Sequence, residues 1–280
     1  MISMSHPLAP PTDDHFGRVA EAFSRKADAY DAFGDDHVNL ARLRRKVYDH
    51  VLRFLQPTDR MLELNAGTGI DAAFFASRGY AVHAIDIAPG MLDHLAAKIE
   101  QQHLRDRLTY QAVSFTELDR VETGPFQYVF SNFGGLNCIP DLSLASRHLP
   151  KILAPGGKLT WVIMPPICPW EIALIFKGKF GIATRRLRRG GTLAHVEGVR
   201  FMTHYFTPRQ VLAALGSDFR LLRLEGLSVF TPPADRQDFP RRFPRLYRGL
   251  VKIDDALSPR PPFNHWGDFF ILTAQYTRHE

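Results

Sequence analysis

The chain is poor in cysteine, with Cys138 and Cys168 the only two among 280 residues. Two cysteines are too few for a disulfide framework or a cysteine-based zinc cluster, so we expect reduced thiols in a cytoplasmic protein. The sequence also shows no spacing of His, Cys, Asp or Glu that is typical of a metal site, and we expect no metal.

Long apolar runs, internal repeats and low-complexity tracts are missing as well. The longest apolar stretch, 161–176, is interrupted by Pro165, Pro166, Pro169 and Glu171, which argues against a membrane span. The first residues lack the basic start and apolar run of a signal peptide. Hydrophobic residues make up 45% and charged residues 23%, as in ordinary globular proteins, and the length suits one large α/β domain with a small appendage.

Acidic residues are scarce in one segment of the chain. Between residues 171 and 209, eight Lys and Arg stand against two Glu, an excess that equals the formal net charge of +6 of the whole chain. Such a cluster, densest at 185–189, attracts an anionic substrate, an anionic membrane surface or nucleic acid, or it simply forms a solvated face. The sequence leaves these alternatives open.

The pattern of apolar residues predicts an α/β fold. Helical spacing predicts two N-terminal helices, at about 14–32 and 37–55. Short apolar strands then alternate with helices, which is typical of a mostly parallel sheet with helices on both faces. We expect no helix between the last two strands, so the last strand is expected to lie antiparallel to its neighbours. The predicted strands are 60–65, 81–86, 108–114, 126–131, 158–164, 219–230 and 268–277, and the further helices are 70–78, 89–101, 142–153 and 207–215.

A glycine-containing segment, LELNAGTGID at 62–71, lies between the first strand and the helix that follows it. Glycines at such a turn let the backbone pass close to a ligand, and the amides of the next helix offer donors. Asp86 follows at the tip of the second strand, where a carboxylate accepts hydrogen bonds from the two hydroxyls of a ribose. Together these features predict an adenosine-type cofactor at the carboxyl edge of the sheet.

Both NAD and S-adenosylmethionine (SAM) suit this geometry, but the dinucleotide pattern G-x-G-x-x-G is not met, because no third glycine follows Gly69 at the required spacing. The segment instead resembles the ExGxGxG signature of class I SAM-dependent methyltransferases. Glu63 matches the family acid, Gly67 and Gly69 match the second and third glycines, and Asp86 matches the ribose acid. The Pro-Gly-Gly of 155–157 resembles the family's LxPGG turn.

One position departs from that signature, since Asn65 stands where the family has its first glycine. If this residue needs a positive φ, Asn is among the residues that tolerate it. We therefore expect cofactor binding to survive, with a locally different turn.

The stretch 23–31 resembles the "F…A…YD" helix of the quinone-biosynthesis-like (methyltransferase type 11) branch, in which the tyrosine helps to cover the cofactor; the alternative is a tyrosine in ordinary packing. By family position, the ends of the third and fourth strands meet the adenine and the methionine part. The resemblance implies S-adenosylmethionine as cofactor, S-adenosylhomocysteine as product, and these binding residues: Tyr30, Glu63, Asn65, Ala66, Gly67, Gly69, Asp86, Ile87, Met91, Ser114, Phe115, Asn132 and Phe133.

The implied architecture is a Rossmann-like, seven-stranded, mostly parallel sheet with the last strand antiparallel. Residues 1–56 would form an N-terminal helical cap and 57–280 the SAM-binding domain, with 165–206 inserted as a substrate lid, since long insertions are usually functional covers or links. We expect a helix at about 171–189 in this insertion. Its apolar side chains, with Phe230 and Trp266, are expected to line the substrate pocket: Trp170, Ile172, Leu174, Ile175 and Phe176.

The expected function is methylation, at oxygen or carbon, of a small hydrophobic molecule with or without an anionic group. A general base helps if the acceptor is a hydroxyl or an acidic carbon. Three alternatives stay open: an RNA- or protein-directed methyltransferase that docks through 177–189, a SAM-binding protein without methyl transfer, and a nicotinamide oxidoreductase. The sequence does not decide the acceptor or the oligomeric state. The candidate bases are Glu171, His204, Tyr205 and His265.

Overall fold

The structure, a computed structural model, describes residues 13–35, 37–234 and 236–277, and of residues 13 and 31–35 the backbone alone. The first dozen residues of the predicted cap and the side chain of Asp31 therefore lie outside the described part. The strands are β1 (Arg60–Leu64), β2 (Ala81–Asp86), β3 (Leu108–Ala112), β4 (Phe126–Ser131), β5 (Leu153–Ile163), β6 (Thr192–Val196), β7 (Val199–Thr203), β8 (Phe219–Leu227) and β9 (Phe269–Tyr276).

The helices surround these strands, and several are single turns. In chain order they are α1 (Asp13–Asp35), α2 (Val38–Val51), α3 (Ile70–Ser77), α4 (Pro89–Gln101), α5 (Ser143–Ser146), α6 (Leu149–Ile152), α7 (Pro169–Ile172), α8 (Phe180–Ala183), α9 (Pro208–Leu215), α10 (Asp238–Arg242) and α11 (Pro244–Leu257).

Seven strands form one sheet in the order β3-β2-β1-β4-β5-β9-β8. Strands β1 to β5 run parallel, and β9 inserts antiparallel between β5 and β8, which confirms the predicted Rossmann-like architecture. The strand order reverses between β1 and β4, where Leu64 pairs with Ser131. Ligands of open α/β sheets bind in the crevice outside such a reversal.

The core consists of two apolar layers, one on each face of the sheet. Successive residues of a strand point to opposite faces. Thus Leu62 and Trp161 pack in one layer, while Met61, Phe130 and Val162 pack in the other. Because β1, β4 and β5 are buried on both faces, their carboxyl ends are held rigidly, and the loops that follow them have a fixed starting point.

Three secondary-structure predictions are wrong. The expected helix at 142–153 is two single turns, α5 and α6, and the one at 171–189 is a series of short turns followed by the unpredicted hairpin β6–β7. The segment between β8 and β9 contains α10 and α11, although no helix was expected there. Its Pro and Arg content suggested an irregular link, but Pro244 occupies the first turn of α11, where the missing N–H costs nothing.

The start of helix α9 is specified by residues that lie close together in the sequence. The side chain of Thr207 accepts a hydrogen bond from the backbone N–H of Gln210, and the Gln210 side chain accepts one from the backbone N–H of Thr207. This capping box, with Pro208 in the first turn, begins the helix where the sequence predicts it. Within the described ranges, no helix combines the length and the apolar character needed to cross a bilayer.

Helix α2 is attached to the far end of the sheet by a buried polar cluster. Lys46 and His50 approach the carboxylate of Glu225 on β8 at 4.0 and 3.4 Å, and Arg223 donates to it at 3.1 Å. Burial acts to raise the pKa of Glu225, but these partners outweigh it and lower that pKa to about 2. The carboxylate therefore stays ionised down to acidic pH and anchors α2.

We predict that Glu225→Gln lowers the free energy of unfolding by about 2 kcal/mol at pH 7, since it removes a buried carboxylate whose negative charge is stabilised by the side chains around it. A group with a depressed pKa stabilises the fold above its unfolded pKa. The difference from the wild type should therefore shrink as the pH falls from about 4.5 to about 2. Urea denaturation at pH values across this range measures the difference in unfolding free energy.

The matched control is Glu117→Gln, which removes an exposed ion pair with Arg120 and should cost no more than about 0.5 kcal/mol. A loss at Glu225 as small as the control's, or one independent of pH, would contradict this account of α2.

Candidate cofactor and substrate site

The turn after β1 has an unusual backbone. Asn65, Gly67 and Gly69 have φ of 48°, 57° and 76°, all in the left-handed region. Asn65 thus takes the conformation that its glycine-like position requires. Its side-chain oxygen also accepts a hydrogen bond from the hydroxyl of Ser131 at 2.7 Å, which links the ends of β1 and β4. A Cβ at Gly69 would overlap Leu95 of α4, so this turn lies directly against that helix.

Asp86 ties the turn after β1 to the loop after β2. Its Oδ2 accepts a hydrogen bond from the N–H of Gly67 at 2.8 Å, and its Oδ1 accepts one from the N–H of Ala88 at 2.9 Å. Burial raises the pKa of Asp86, while these backbone donors act in the opposite direction. Both oxygens keep a further lone pair, so the carboxylate can still accept hydrogen bonds from a ligand.

A cavity of about 340 Å³ opens above these loops. Nine of the thirteen predicted cofactor-binding residues line it, and Ala66 lines a small adjoining cavity. The nine come from α1, from the end of β2, from the start of α4 and from the loops after β1, β2, β3 and β4, so the carboxyl edge of the sheet gathers them: Tyr30, Asn65, Gly67, Asp86, Ile87, Met91, Phe115, Asn132 and Phe133.

Three predicted residues lie beside the cavity instead of lining it. Glu63 is buried beneath the turn, and its Oε2 has no hydrogen-bond partner among the described residues. Burial, reinforced by the charge of Asp71, raises the pKa of Glu63 well above its usual range. Gly69 begins α3, and the hydroxyl of Ser114 is engaged with Thr116 at 2.8 Å. These residues are thus placed to shape the surrounding loops.

The far side of the cavity is formed by α1 and by the hairpin β6–β7, which the sequence did not indicate. Strand β7 packs on α1, and the two elements share a small apolar cluster. Among the described residues, the charged side chains in the cavity lining are Asp86 and, on this side, Arg185. The remaining wall is mostly apolar and also contains Thr192, Thr203 and Tyr205; its apolar residues are Phe16, Val19 and Phe23 from α1 and Leu193, Ala194, Val196 and Phe201 from the hairpin.

The expected apolar wall is therefore corrected. None of Trp170, Ile172, Leu174, Ile175 and Phe176 lines this cavity, and neither do Phe230 and Trp266. Trp170 donates its ring N–H to the carbonyl of Phe230 at 2.9 Å and stands edge-on to Phe239. The apolar run at 170–176 lies beside the region that follows β8. Unlike the hairpin β6–β7, this run does not fold back over the carboxyl edge of the sheet.

A polar network that sequence reasoning missed lies next to the cofactor loops. Asp71 of α3 pairs with Arg44 of α2, accepts a hydrogen bond from the hydroxyl of Tyr48 at 2.5 Å, and accepts another from the side chain of Asn132 at 2.7 Å. Arg44 also stacks on the ring of Phe133. Arg44, Asp71 and Asn132 line the small adjoining cavity. The apolar periodicity of the sequence predicts helix α2, but it does not predict that Arg44 pairs with Asp71.

Of the four candidate bases, Tyr205 alone lines the cavity. Its ring lies under the guanidinium of Arg186 at 5.4 Å, and its hydroxyl makes no hydrogen bond to a described residue. His204 is buried beside it, with its backbone bonded in both directions to Asn137 and with its pKa lowered by burial. His265 is exposed on a turn before β9 and does not reach the cavity.

Glu171 belongs to an internal ion-pair cluster. Its carboxylate accepts hydrogen bonds from Arg185 and Arg186, and Arg186 also donates to Asp268 at 2.7 Å. Burial acts to raise the pKa of Glu171, but the two arginines outweigh it and the pKa is lowered. A carboxylate committed in this way is a poor proton acceptor, so the geometry argues against Glu171 as the base.

The same cluster bears on metal binding. Cys168, Glu171 and Asp268 are the one group of potential metal ligands among the described residues that lie close enough together. Burial raises the pKa of the Cys168 thiol to about 12, and Arg186 already occupies both carboxylates. A cation would have to displace the guanidinium, so these residues do not offer a metal site.

Cys138 lies in the cavity wall, and burial raises the pKa of its thiol to about 12. A thiol with so high a pKa is not a nucleophile at neutral pH.

Comparison with known proteins agrees with this geometry. The family model described as a methyltransferase domain matches residues 61–157. The chain is 32% identical to a demethylmenaquinone methyltransferase of Thermus thermophilus over 170 residues, which cover 56% of this chain and 71% of that protein. The chain belongs to the SAM-dependent methyltransferase family.

Two further methyltransferases illustrate the range of that family. A malonyl-[acyl-carrier protein] O-methyltransferase of Serratia marcescens is 37% identical over 143 residues, half of each chain, and the chain spans about half the length of several relatives that it matches. In fold, it resembles a 1,6-didemethyltoxoflavin-N1-methyltransferase of Burkholderia thailandensis, with a TM-score of 0.57, 17% identity, and coverage of 98% of this chain and 94% of that one.

The departure at Asn65 leads to a prediction for this methyltransferase. Asn65→Ala should cost about 2 kcal/mol of stability, from the left-handed φ and the lost hydrogen bond, whereas Asn65→Gly should cost about 1 kcal/mol, because only the bond is lost. We expect Asn65→Gly to bind SAM more tightly than Asn65→Ala. Urea denaturation and titration calorimetry measure the two effects.

His103, whose φ is 55°, provides the control, since it has the same strain on the exposed loop before β3. His103→Gly should again be more stable than His103→Ala, but neither should change SAM affinity. Equal stability of the two Asn65 variants would remove the argument from backbone strain.

Proposed function

We propose that the chain transfers the methyl group of SAM to a small, largely apolar acceptor held between α1 and the hairpin β6–β7. The observation that carries this proposal is the continuity of the cavity. One end is built from the glycine turn and Asp86, and the other from an apolar wall, so a cofactor and an acceptor can share one enclosed space.

The residues at the cofactor end suit the parts of SAM. The carboxylate of Asp86 matches a ribose diol, and Ile87, Met91 and Phe115 offer apolar surface for an adenine ring. The adjoining cavity holds both signs of charge in Arg44 and Asp71, which matches the carboxylate and ammonium groups of an amino acid. Tyr30 reaches both cavities from α1 and is placed to cover the cofactor.

SAM, when bound, supplies an electrophilic methyl group on a sulfonium, and direct transfer needs alignment and exclusion of water more than proton chemistry. The hairpin and α1 exclude water from the acceptor side. Gly134 and Gly135 keep the loop after β4 close to Asn65, because a Cβ on Gly135 would overlap the Asn65 side chain. The protein thus contributes a dry space of fixed shape.

Arg185 supports an acceptor with an anionic group. Glu171 holds its Nε and one terminal nitrogen at 2.8 and 2.7 Å, so the guanidinium is fixed while its other terminal nitrogen stays available. In an otherwise apolar wall, one fixed cation favours a ligand that carries one negative charge.

The test is transfer of label from methyl-labelled SAM into fractionated cell extract. Asp86→Ala should weaken SAM binding at least about tenfold, because it removes a carboxylate acceptor, and should abolish transfer. Asp93→Ala, on an exposed position of α4, is the matched control and should retain both. Label in the organic-soluble fraction is the expected result.

Label in the RNA or protein fraction would overturn the small-molecule proposal and would make the basic segment a docking site. SAM binding without transfer to any fraction would overturn the proposed methyl transfer itself.

Tyr205 is the proposed proton acceptor if the methyl acceptor is a hydroxyl or an acidic carbon. Tyr205→Phe should then lower turnover about 10²-fold, as loss of a general base does, with the Kd for SAM unchanged. Initial rates with the acceptor found by labelling measure this, and Tyr110→Phe on exposed β3 is the control. Unchanged turnover would exclude Tyr205 from proton transfer.

A further inference from the structure

Large apolar side chains that do not line the cavity just described are exposed on one face of the molecule. Of the twelve that the described residues expose, eight lie in 175–187 and 243–246 or on the continuation of α11. Phe176 is 93% exposed and Phe180 61% exposed, which is costly in water unless something covers them. We name as the outer face the exposed side chains of residues 175–189 and of 236–253.

The two parts of the outer face lie side by side. A groove of about 450 Å³ runs between them, lined by Lys177, Lys179 and Ile182 from one part and by Phe239 and Phe243 from the other. The outer face is therefore one continuous surface.

Helix α11 presents an apolar stripe on this face. Leu246, Leu250, Ile253 and Leu257 follow at intervals of four, three and four residues, which places them along one side of a helix. Leu246 is 55% and Ile253 44% exposed. Leu246 and Ile253 of the stripe thus face outward, while Leu250 and Leu257 are half-buried, although apolar stripes of helices in globular proteins normally face the core.

The opposite side of α11 holds the helix on the protein. The hydroxyl of Tyr247 donates to the side chain of Asn39 at 2.9 Å. Asp254 is fully buried, accepts hydrogen bonds from the backbone of Val229 and Phe230, and pairs with Arg42 at 3.3 Å. Asp255 also pairs with Arg42, at 2.6 Å. The acidic residues of α11 therefore form ion pairs with α2, and the basic residues of α11 lie on its outward side.

Exposed charge on the outer face is almost entirely positive. Within 174–189 and 236–248, Asp238 is the single acidic residue. The sequence suggested that Arg185 and Arg186 bind an anionic ligand, but in the structure they form ion pairs with Glu171 and Asp268. Exposed cations still surround the apolar residues: Lys177, Lys179, Arg188, Arg189, Arg236, Arg241, Arg242, Arg245 and Arg248.

We propose that the outer face binds the surface of an anionic lipid bilayer, with Phe176, Phe180 and the apolar stripe of α11 entering the headgroup region. An outward apolar stripe flanked by Arg and Lys is typical of helices that lie in a bilayer interface, and clustered cations bind anionic headgroups. Side chains that protrude as far as Phe176 suit insertion into lipid better than contact with a flat protein surface.

The position of the outer face bears on access to the proposed acceptor site. Arg185 lines both the groove and the cavity, and Leu193 of β6, at the cavity, is itself exposed. A bilayer against the outer face would thus lie beside the apolar end of the cavity. Binding to lipid is independent of methyl transfer, so its test uses neither SAM nor an acceptor.

The test is flotation of the purified chain with vesicles of phosphatidylcholine alone and of phosphatidylcholine with about one third phosphatidylglycerol. We expect at least tenfold stronger partitioning into the anionic vesicles, and release as NaCl is raised to about 0.5 M. Two double variants on separate elements, Phe176→Ser with Phe180→Ser and Leu246→Ser with Ile253→Ser, should each weaken partitioning at least tenfold.

The matched control is Tyr110→Ser with Leu221→Ser, which changes similarly exposed residues, 44% and 39%, at the two edges of the main sheet. It should bind vesicles like the wild type. Equal partitioning into both kinds of vesicle, or equal losses in control and test variants, would overturn the proposal. A dimer in light scattering would also overturn the proposal, if both pairs of test substitutions converted it to a monomer and the wild type did not bind vesicles. A second copy of the chain would then cover this face.

Discussion

The carboxylate of Asp86 accepts the backbone N–H of Gly67 with one oxygen and that of Ala88 with the other, and the rest of the site depends on this pair of bonds. It joins the loops after two adjacent parallel strands, alongside the hydrogen bond from the N–H of Ala66 to the carbonyl of Ile85 at 3.0 Å. Ala88 and Met91, which follow at once, pack against Ala27 and Tyr30 of α1. The cap helix is therefore placed on the cavity by the same interaction that shapes the cofactor end.

Helix α2 extends this constraint across the molecule through its polar residues. At one point Arg44 pairs with Asp71 beside the cofactor loops; on the same helix Arg42 and Lys46 pair with the acidic end of α11. These pairs are largely buried, so removing one partner leaves an uncompensated charge and costs more than an exposed pair would. One helix thus fixes both a wall of the small cavity and the helix that carries the outer apolar stripe. That arrangement explains why the acidic residues of α11 face inward.

Much of the fold could be predicted because its signals are local. The turn at 65–69, the acid at the tip of β2 and the start of α9 are each specified within a few residues, and the backbone at each of them lies where the sequence predicts it. The antiparallel last strand was predicted because no helix was expected before it; the strand direction is confirmed, although α10 and α11 lie in that link. The hairpin β6–β7 was missed because its packing depends on distant residues of α1. Helix α11 was missed although its apolar residues recur at helical intervals, because the Pro and Arg content of that segment suggested an irregular link. Arg44 was missed because periodicity identifies buried faces and says nothing about which polar side chain finds a charged partner.

The outcome for Glu171 shows how a candidate base can matter in another way. Its carboxylate holds Arg185 by two hydrogen bonds and remains ionised because two guanidiniums stabilise the charge. An unsupported Arg at the edge of an apolar cavity would turn towards water, since its flexible side chain gains solvation there. Fixed by Glu171, it keeps its guanidinium between the cavity and the groove of the outer face. A residue that the sequence suggested for proton transfer thus positions a cation, and the proposed preference for an anionic acceptor depends on that positioning.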